Sequence, residues 1–337
     1  MNQKERLFNT LNKKMTDRPA CICPGGMMNM ITAELMEEAG VSLPAAHSDA
    51  RMMADLAKAA YTSGCFENVG VPFCMTVEAE AMGAKVAMGS NIVEPHVTEY
   101  VINSVSEWPS LPVVDHKSGR AGVTVEAIRL LRKELEGIPV VGNLTGPIST
   151  AGSLIEPTVF FKELRKKNAD AHAFMEFVTD QLIHLGLAQI EAGADVVAIS
   201  DPSGTGEILG PRYFEEFTVK YLNKLIKPLK EAGAKVIVHI CGQMRQVYAQ
   251  ADMIESDAIS FDAIVPIREA RQALPERVLM GNISTYTLEF GDPEKIRVMT
   301  EFAADNGFDI ISPACGLGMK SPLSNIRAML RTLEERS

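Results

Sequence analysis

The chain has 337 residues, 46% of them hydrophobic and 23% charged, so it can bury a large core without disulfides. Its formal net charge of −10 argues against a general nucleic-acid-binding protein, which would carry a basic stripe. The first residues are charged, and no apolar run reaches the ~18 residues of a membrane span, so we expect neither a signal peptide nor a membrane protein. Six irregularly spaced cysteines do not suggest a disulfide framework, which favours a reducing cytoplasmic location.

Short β-rich apolar runs alternate with longer amphipathic segments along almost the whole chain. This alternation predicts βαβ units and a parallel sheet. Eight predicted strands favour a closed (β/α)8 TIM barrel over an open sheet. The predicted strands are 20–23, 67–71, 140–144, 196–200, 236–240, 258–261, 278–282 and 310–313, and helical patterns cover 50–63, 124–135, 169–192, 213–232 and 293–306.

We expect a single barrel domain over residues 1–337. The irregular part is the segment 73–118, which three prolines interrupt, and it is predicted to form an excursion between strands.

Several polar residues and glycines follow predicted strand ends, where the catalytic loops of a barrel lie. Gly25 and Gly26 after the first strand either let a flat ligand approach the backbone or simply form the turn. Asn143 and Thr145 end the third strand, as substrate-binding groups or as parts of an ordinary βα loop. Asp201 ends the fourth strand and is predicted either to bind substrate or to cap a helix.

The strongest chemical signal is His239 and Cys241 at the end of one predicted strand, with Cys315 after the last strand. Residues i and i+2 of a strand face the same side, ~6–7 Å apart along the backbone. One imidazole and two thiolates are ligands that zinc takes, and three protein ligands leave a fourth position open, as in catalytic sites. The alternative is two buried cysteines and a core histidine that bind no metal.

Asp262 follows the strand 258–261 and could reach the same face. A carboxylate there would serve as a fourth zinc ligand or orient a ligating imidazole. The alternative is a polar residue at a strand end.

The chain resembles the uroporphyrinogen decarboxylase superfamily and, more narrowly, its methylcobalamin:coenzyme M methyltransferase branch. The resemblance spans essentially the whole chain, and the His-x-Cys element with a distant Cys separates this branch from the decarboxylases. The segments that carry it are GVPFCMTVEAE from Gly70, GNLTGP from Gly142, DPSGTGEILGP from Asp201, HIC from His239 and SPACG from Ser312.

The resemblance implies a (β/α)8 barrel in which His239, Cys241 and Cys315 bind Zn²⁺ and a small thiol takes the open position. The thiolate would attack the methyl group of a methyl-Co(III) corrinoid and leave Co(I). Decarboxylases of the superfamily carry an arginine-bearing segment near the N-terminus, where this chain has CPGGMM from Cys23, so uroporphyrinogen decarboxylation is not expected.

We therefore predict a zinc-dependent methyltransferase that moves a methyl group from a corrinoid to a thiol such as coenzyme M. The cobalamin is expected on a separate methyl-corrinoid protein that docks over the barrel mouth. One alternative is a substrate-specific methyltransferase that demethylates a small compound onto a corrinoid protein. Another is a non-catalytic relative that binds a corrinoid or tetrapyrrole.

Overall fold

Eight parallel strands form the central sheet of the protein, which is described here by a computed structural model covering residues 1–336. The strand bounds are β1 Ala20–Cys21, β2 Val69–Val71, β3 Lys85–Ala87, β4 His96–Glu99, β5 Val140–Thr145, β6 Val196–Ser200, β7 Lys235–Ile240, β8 Ala258–Phe261, β9 Leu279–Ile283 and β10 Ile310–Pro313. The strand order is β1-β10-β9-β8-β7-β6-β5-β2, and two short antiparallel strands, β3 and β4, form a separate hairpin. Each of the eight predicted strands is present, which confirms the barrel.

The first and last strands of this order, β1 and β2, are joined by a backbone hydrogen bond and by the Asn68 side chain rather than by a regular ladder. The Glu67 amide donates to the Cys21 carbonyl at 2.8 Å. The Asn68 side chain accepts from the Cys23 amide at 2.9 Å and donates to the Cys23 carbonyl at 2.8 Å. These bonds join the two edges of the sheet, and β1 and β2 are each shorter than the predicted runs 20–23 and 67–71.

Helices connect the strands and pack around the barrel. The longest, α9, buries Phe174, Val178 and Leu182 on its inner side. The helices are α1 Gln3–Leu11, α2 Ala33–Ala39, α3 Leu43–Ala46, α4 Ala50–Thr62, α5 Val77–Ala81, α6 Gly119–Glu134, α7 Pro147–Leu154, α8 Pro157–Lys166, α9 Asn168–Ala192, α10 Gly206–Tyr213, α11 Lys220–Glu231, α12 Tyr248–Ala251, α13 Ile267–Ala273, α14 Thr285–Phe290, α15 Pro293–Asp305 and α16 Leu323–Glu334, with a 3₁₀ helix at Val105–Ser110 and a π-helix at Phe214–Val219.

The segment 73–118 contains α5, the β3–β4 hairpin and the 3₁₀ helix. The hairpin was not predicted, because its strands are only three and four residues long and largely exposed, so they carry little hydrophobic pattern. Among the described residues, no helix combines the length and the apolar character needed to cross a bilayer.

A buried ion network lies where the chain enters the barrel. Glu67, which is 2% exposed, pairs with the Arg6 Nη1 atom at 2.6 Å and with the Arg18 Nη2 atom at 2.8 Å. Its second carboxylate oxygen accepts the Cys21 amide at 2.8 Å. One carboxylate therefore connects α1, the loop before β1 and the approach to β2.

Candidate metal centre

The three predicted ligands meet at the carboxyl end of the barrel. His239 is the fifth of the six residues of β7, Cys241 follows the end of that strand, and Cys315 lies two residues beyond β10. One ligand atom from each, an imidazole nitrogen and two Sγ atoms, lies within 4.8 Å of the other two. His239 is 2% exposed, while both thiols remain partly accessible, so the cluster opens toward the mouth.

The imidazole of His239 is oriented by a neighbouring strand. The parallel register pairs His239 with Ser260 of β8, and the Ser260 Oγ atom lies 2.9 Å from Nδ1. With Nδ1–H donating to that oxygen, Nε2 is left as the acceptor, and it lies 3.3 Å from the Cys241 Sγ atom. Metal-binding histidines commonly use their second ring nitrogen in this way.

The two cysteines do not titrate alike. A hydrogen bond from the Cys241 thiol, assisted by the His239 ring, lowers the pKa of Cys315. The same bond, together with burial, raises the pKa of Cys241. The pair therefore favours one thiolate and one thiol, and a bound cation would replace the proton between them. A nitrogen, a thiolate and a second thiol that can ionise suit zinc, so the residues fit this metal.

Asp262 lies beside this cluster but is not one of the residues whose ligand atoms converge within 4.8 Å. Its carboxylate accepts the Gly242 amide at 3.3 Å and the Ile264 amide at 3.2 Å. Its charge contributes to the raised pKa of Cys241, which puts it near the thiols. A role as fourth zinc ligand stays a prediction.

Asn143 and the paired glycines form one packing unit behind the mouth. The Asn143 amide donates to the Pro24 carbonyl at 2.8 Å and to the Val71 carbonyl at 3.0 Å. Gly25 and Gly26 have positive φ values of 97° and 61°, and a Cβ atom at either position would lie 2.9 Å from Asn143. The absence of a side chain at these glycines thus lets the backbone of the loop after β1 pass close to the Asn143 side chain. The buried Asn143 Oδ1 atom has no partner among the described residues.

Thr145 and Asp201 are also held by protein groups. Thr145 donates from its amide at 2.7 Å and from its hydroxyl at 2.9 Å to Glu78, whose burial raises its pKa. Asp201, fully buried, accepts the Ile148 amide at 3.2 Å and both the amide and hydroxyl of Ser149, at 2.8 and 2.7 Å. These bonds cap the start of α7. Substrate contacts by either residue stay predictions.

Glu94, which precedes β4, was not predicted from the sequence, although its charge interacts with that of Cys315. The residue is exposed, and partial burial of its carboxyl group, together with the charge of Cys315, raises its pKa. No motif marks it, because it comes from the irregular segment between strands.

Apolar side chains stand exposed at the same end of the barrel. Tyr286 and Phe290 of α14, directly after β9, are 72% and 67% exposed, and their ring centroids are 4.8 Å apart. Ile208 follows β6 and Ile264 follows β8, and each is nearly half exposed. We call these four residues the apolar rim.

Replacing Ser260 by alanine tests the orientation of the imidazole. The variant loses the Nδ1 partner, so zinc affinity should fall ~10–100-fold with little loss of stability. Zinc competition with a chromophoric chelator measures the affinity. Ser200→Ala is the matched control, because Ser200 pairs in register with His239 from the other side and forms no described side-chain bond to it. Equal losses of zinc affinity in the two variants would contradict the role of Ser260 in orienting the imidazole.

Comparison with known proteins extends these observations to the whole chain. The uroporphyrinogen decarboxylase (URO-D) family model matches residues 2–336. The methylcobamide:CoM methyltransferase MtbA of Methanosarcina acetivorans is 31% identical over 97% of this chain and 96% of its own length. MtaA of Methanosarcina barkeri, also a methylcobamide:CoM methyltransferase, is 30% identical over 98% and 97%. A solved methyltransferase from Methanosarcina mazei superposes with a TM-score of 0.92 at 28% identity, over 100% of this chain and 99% of that one. The chain thus belongs to the uroporphyrinogen decarboxylase (URO-D) family.

Proposed function

We propose that the protein is a zinc-dependent methyltransferase that transfers a methyl group from a methylated corrinoid to a thiol. The observation that carries the proposal is the convergence of one imidazole nitrogen and two sulfur atoms within 4.8 Å at the barrel mouth. The similarity to two methylcobamide:CoM methyltransferases supports a corrinoid as donor and coenzyme M as the first acceptor to test.

His239, Cys241 and Cys315 would hold the zinc ion. When bound, zinc supplies a charge that keeps the acceptor thiol deprotonated and nucleophilic at neutral pH. Ser260 holds the imidazole in one tautomer, and the partly buried thiols face the mouth, from which both substrates would enter. In the reaction a sulfur–carbon bond forms, the cobalt–carbon bond breaks, and its electron pair stays on the cobalt.

The activity test uses methylcobalamin and coenzyme M with the zinc-loaded protein. The expected result is the methyl thioether together with the absorbance of Co(I) or of its oxidation product. Failure with every thiol, combined with methylation of a corrinoid protein by a small methylated compound, would favour the reverse half-reaction instead. Tight corrinoid binding with no turnover in either direction would favour a non-catalytic relative.

We further propose that the corrinoid arrives on a separate methyl-corrinoid protein that docks on the apolar rim. The rim residues follow β6, β8 and β9, at the end of the barrel where the cluster opens. Its helix α14 also lies against the Cys315 loop, because a Cβ atom at Gly318 would come into contact with the Glu289 carboxylate. Exposed aromatic pairs are unusual on free surfaces and frequent at the centres of interfaces.

Substituting serine for both Tyr286 and Phe290 tests this docking surface. We expect the KM for a methyl-corrinoid protein to rise ~10–30-fold, since the two aromatic side chains together are expected to contribute on the order of 2 kcal/mol. Turnover with free methylcobalamin should change less than about twofold, because a small donor needs no protein interface. Val298→Ser, at a 51% exposed position on α15, is the control. Equal effects on both donors would argue against docking there.

A further inference from the structure

A large cavity lies at the opposite end of the barrel from the metal centre. Its volume is about 670 Å³, and its walls come from the α1–β1 loop, the α13–β9 loop and the residues that precede β10. Pro19, Val278 and Asp309 line it, and each directly precedes a strand, so the cavity is at the amino-terminal face. That volume is in the range of small-molecule binding sites.

The cavity is lined by five cationic and three acidic side chains in a protein whose net charge is −10. Arg18 and Arg271 are neutralised locally, by Glu67 at 2.8 Å and by Asp309 at 2.5 Å. The remaining cations, Lys13, Lys14 and Arg277, form no ion pair with any carboxylate in residues 1–336. Asp17 is paired with Arg6, so Glu276 is the single lining acid left to oppose those three positive charges.

Arg277 is the lining cation best placed to bind an anion. Its Nη2 atom donates to the Ser256 carbonyl at 2.9 Å and to the Ser256 hydroxyl at 3.0 Å, which fixes the guanidinium in place. Nε and Nη1 have no protein acceptor within the described chain. Burial lowers the pKa of this guanidinium, with Asp252 and Asp257 only partly offsetting the effect. A desolvated guanidinium with spare, fixed donors is suited to bind a phosphate or carboxylate.

Lys13 also lines the cavity and has an unusual backbone conformation. Its φ of 55° makes it the sole non-glycine residue with positive φ in the described chain, directly after α1 ends. Glycine adopts this conformation at lower cost, so a lysine at this position carries a local penalty. The side chain it adds lies at the edge of the cavity.

Apolar groups complete the cavity, among them Met15, Val278 and Phe308. We propose that this cavity binds a small phosphorylated organic molecule, with its phosphates on Arg277, Lys13 and Lys14 and its organic body against the apolar wall. The site is separate from the metal centre and does not depend on the proposed methyl transfer.

Calorimetric titration of the full-length protein with ADP and with inorganic pyrophosphate, in 0.15 M salt, tests the proposal. We expect saturable one-to-one binding of both, with ADP the tighter because it also contacts the apolar wall. Arg277→Met should weaken pyrophosphate binding roughly tenfold or more, as expected for lost charge-assisted bonds. Absence of binding at millimolar ADP and pyrophosphate would overturn the proposal.

Lys13→Gly separates binding from folding. Glycine relieves the left-handed backbone, so the melting temperature should stay the same or rise, while pyrophosphate binding weakens about threefold. Lys133→Met, at an exposed lysine of α6 outside the cavity, should leave binding unchanged. Unchanged binding in Lys13→Gly and Arg277→Met, or an equal loss in Lys133→Met, would show that the cavity is not the site.

Discussion

Cys315→Ala is expected to yield a folded protein that has lost its zinc and its methyl transfer activity. Structural zinc sites in small peptides bind with roughly 10–16 kcal/mol, so loss of one of three protein ligands should cost about 4 kcal/mol, or ~10³-fold in affinity. His239→Ala and Cys241→Ala should behave alike, because all three ligand atoms belong to one cluster. Metal analysis by mass spectrometry and the methylcobalamin assay measure the two losses.

Cys65→Ala is the matched control for these variants. Cys65 is 1% exposed and is not among the clustered ligands, so its replacement should leave zinc content and turnover intact. Undiminished zinc in all three cluster variants would rule out the proposed site. Loss of zinc with full turnover would instead show that methyl transfer does not require the metal.

Glu67→Ala is expected to produce the largest loss of stability among the single substitutions considered. The change removes the close carboxylate partner of the buried Arg18 guanidinium, leaves Arg6 paired with Asp17 alone, and removes the acceptor for the Cys21 amide. Breaking a buried pair by removing one partner typically costs about 3–5 kcal/mol of unfolding free energy, because an uncompensated charge remains. Urea unfolding followed by circular dichroism measures the difference.

An exposed carboxylate provides the comparison for Glu67. Glu134 pairs with Arg51 and, at 3.0 Å, with Lys58, but all three side chains are solvent-accessible. Glu134→Ala should cost less than about 1 kcal/mol, as exposed pairs usually do. Similar urea midpoints for the two variants would contradict a special role for the buried network.

The barrel and the metal ligands could be predicted because each depends on local sequence. Buried parallel strands have continuous apolar runs, and the i, i+2 spacing of His239 and Cys241 sets their common direction. Cys315 follows another strand in the same orientation, so its position at the same end follows from the topology. The expectation of a cluster therefore needed no knowledge of side-chain packing.

Other features depend on register or on irregular backbone, which the sequence pattern does not specify. Ser260 reaches His239 because β7 and β8 pair in one particular register, and a serine in a strand carries no signal of that pairing. Glu94 arrives from the β3–β4 hairpin region, whose few exposed residues have no periodicity. The Asp201 carboxylate bonds to the start of α7, which follows the neighbouring strand β5, and the sequence pattern does not mark that partner.

The junction between β1 and β2 also lies next to contacts that support the loop carrying Cys315. The loop that leaves β1 continues to Asn29, whose carbonyl accepts the Leu317 amide at 2.9 Å, two residues beyond Cys315. Gly316 lies so close to this loop that a Cβ atom would be 2.6 Å from the Met27 carbonyl. If the junction at Asn68 opens transiently, the Cys315 loop loses its neighbour on that side. Amide hydrogen exchange at Cys23 and Leu317 should then slow together when metal binds, because one local opening exposes both protons.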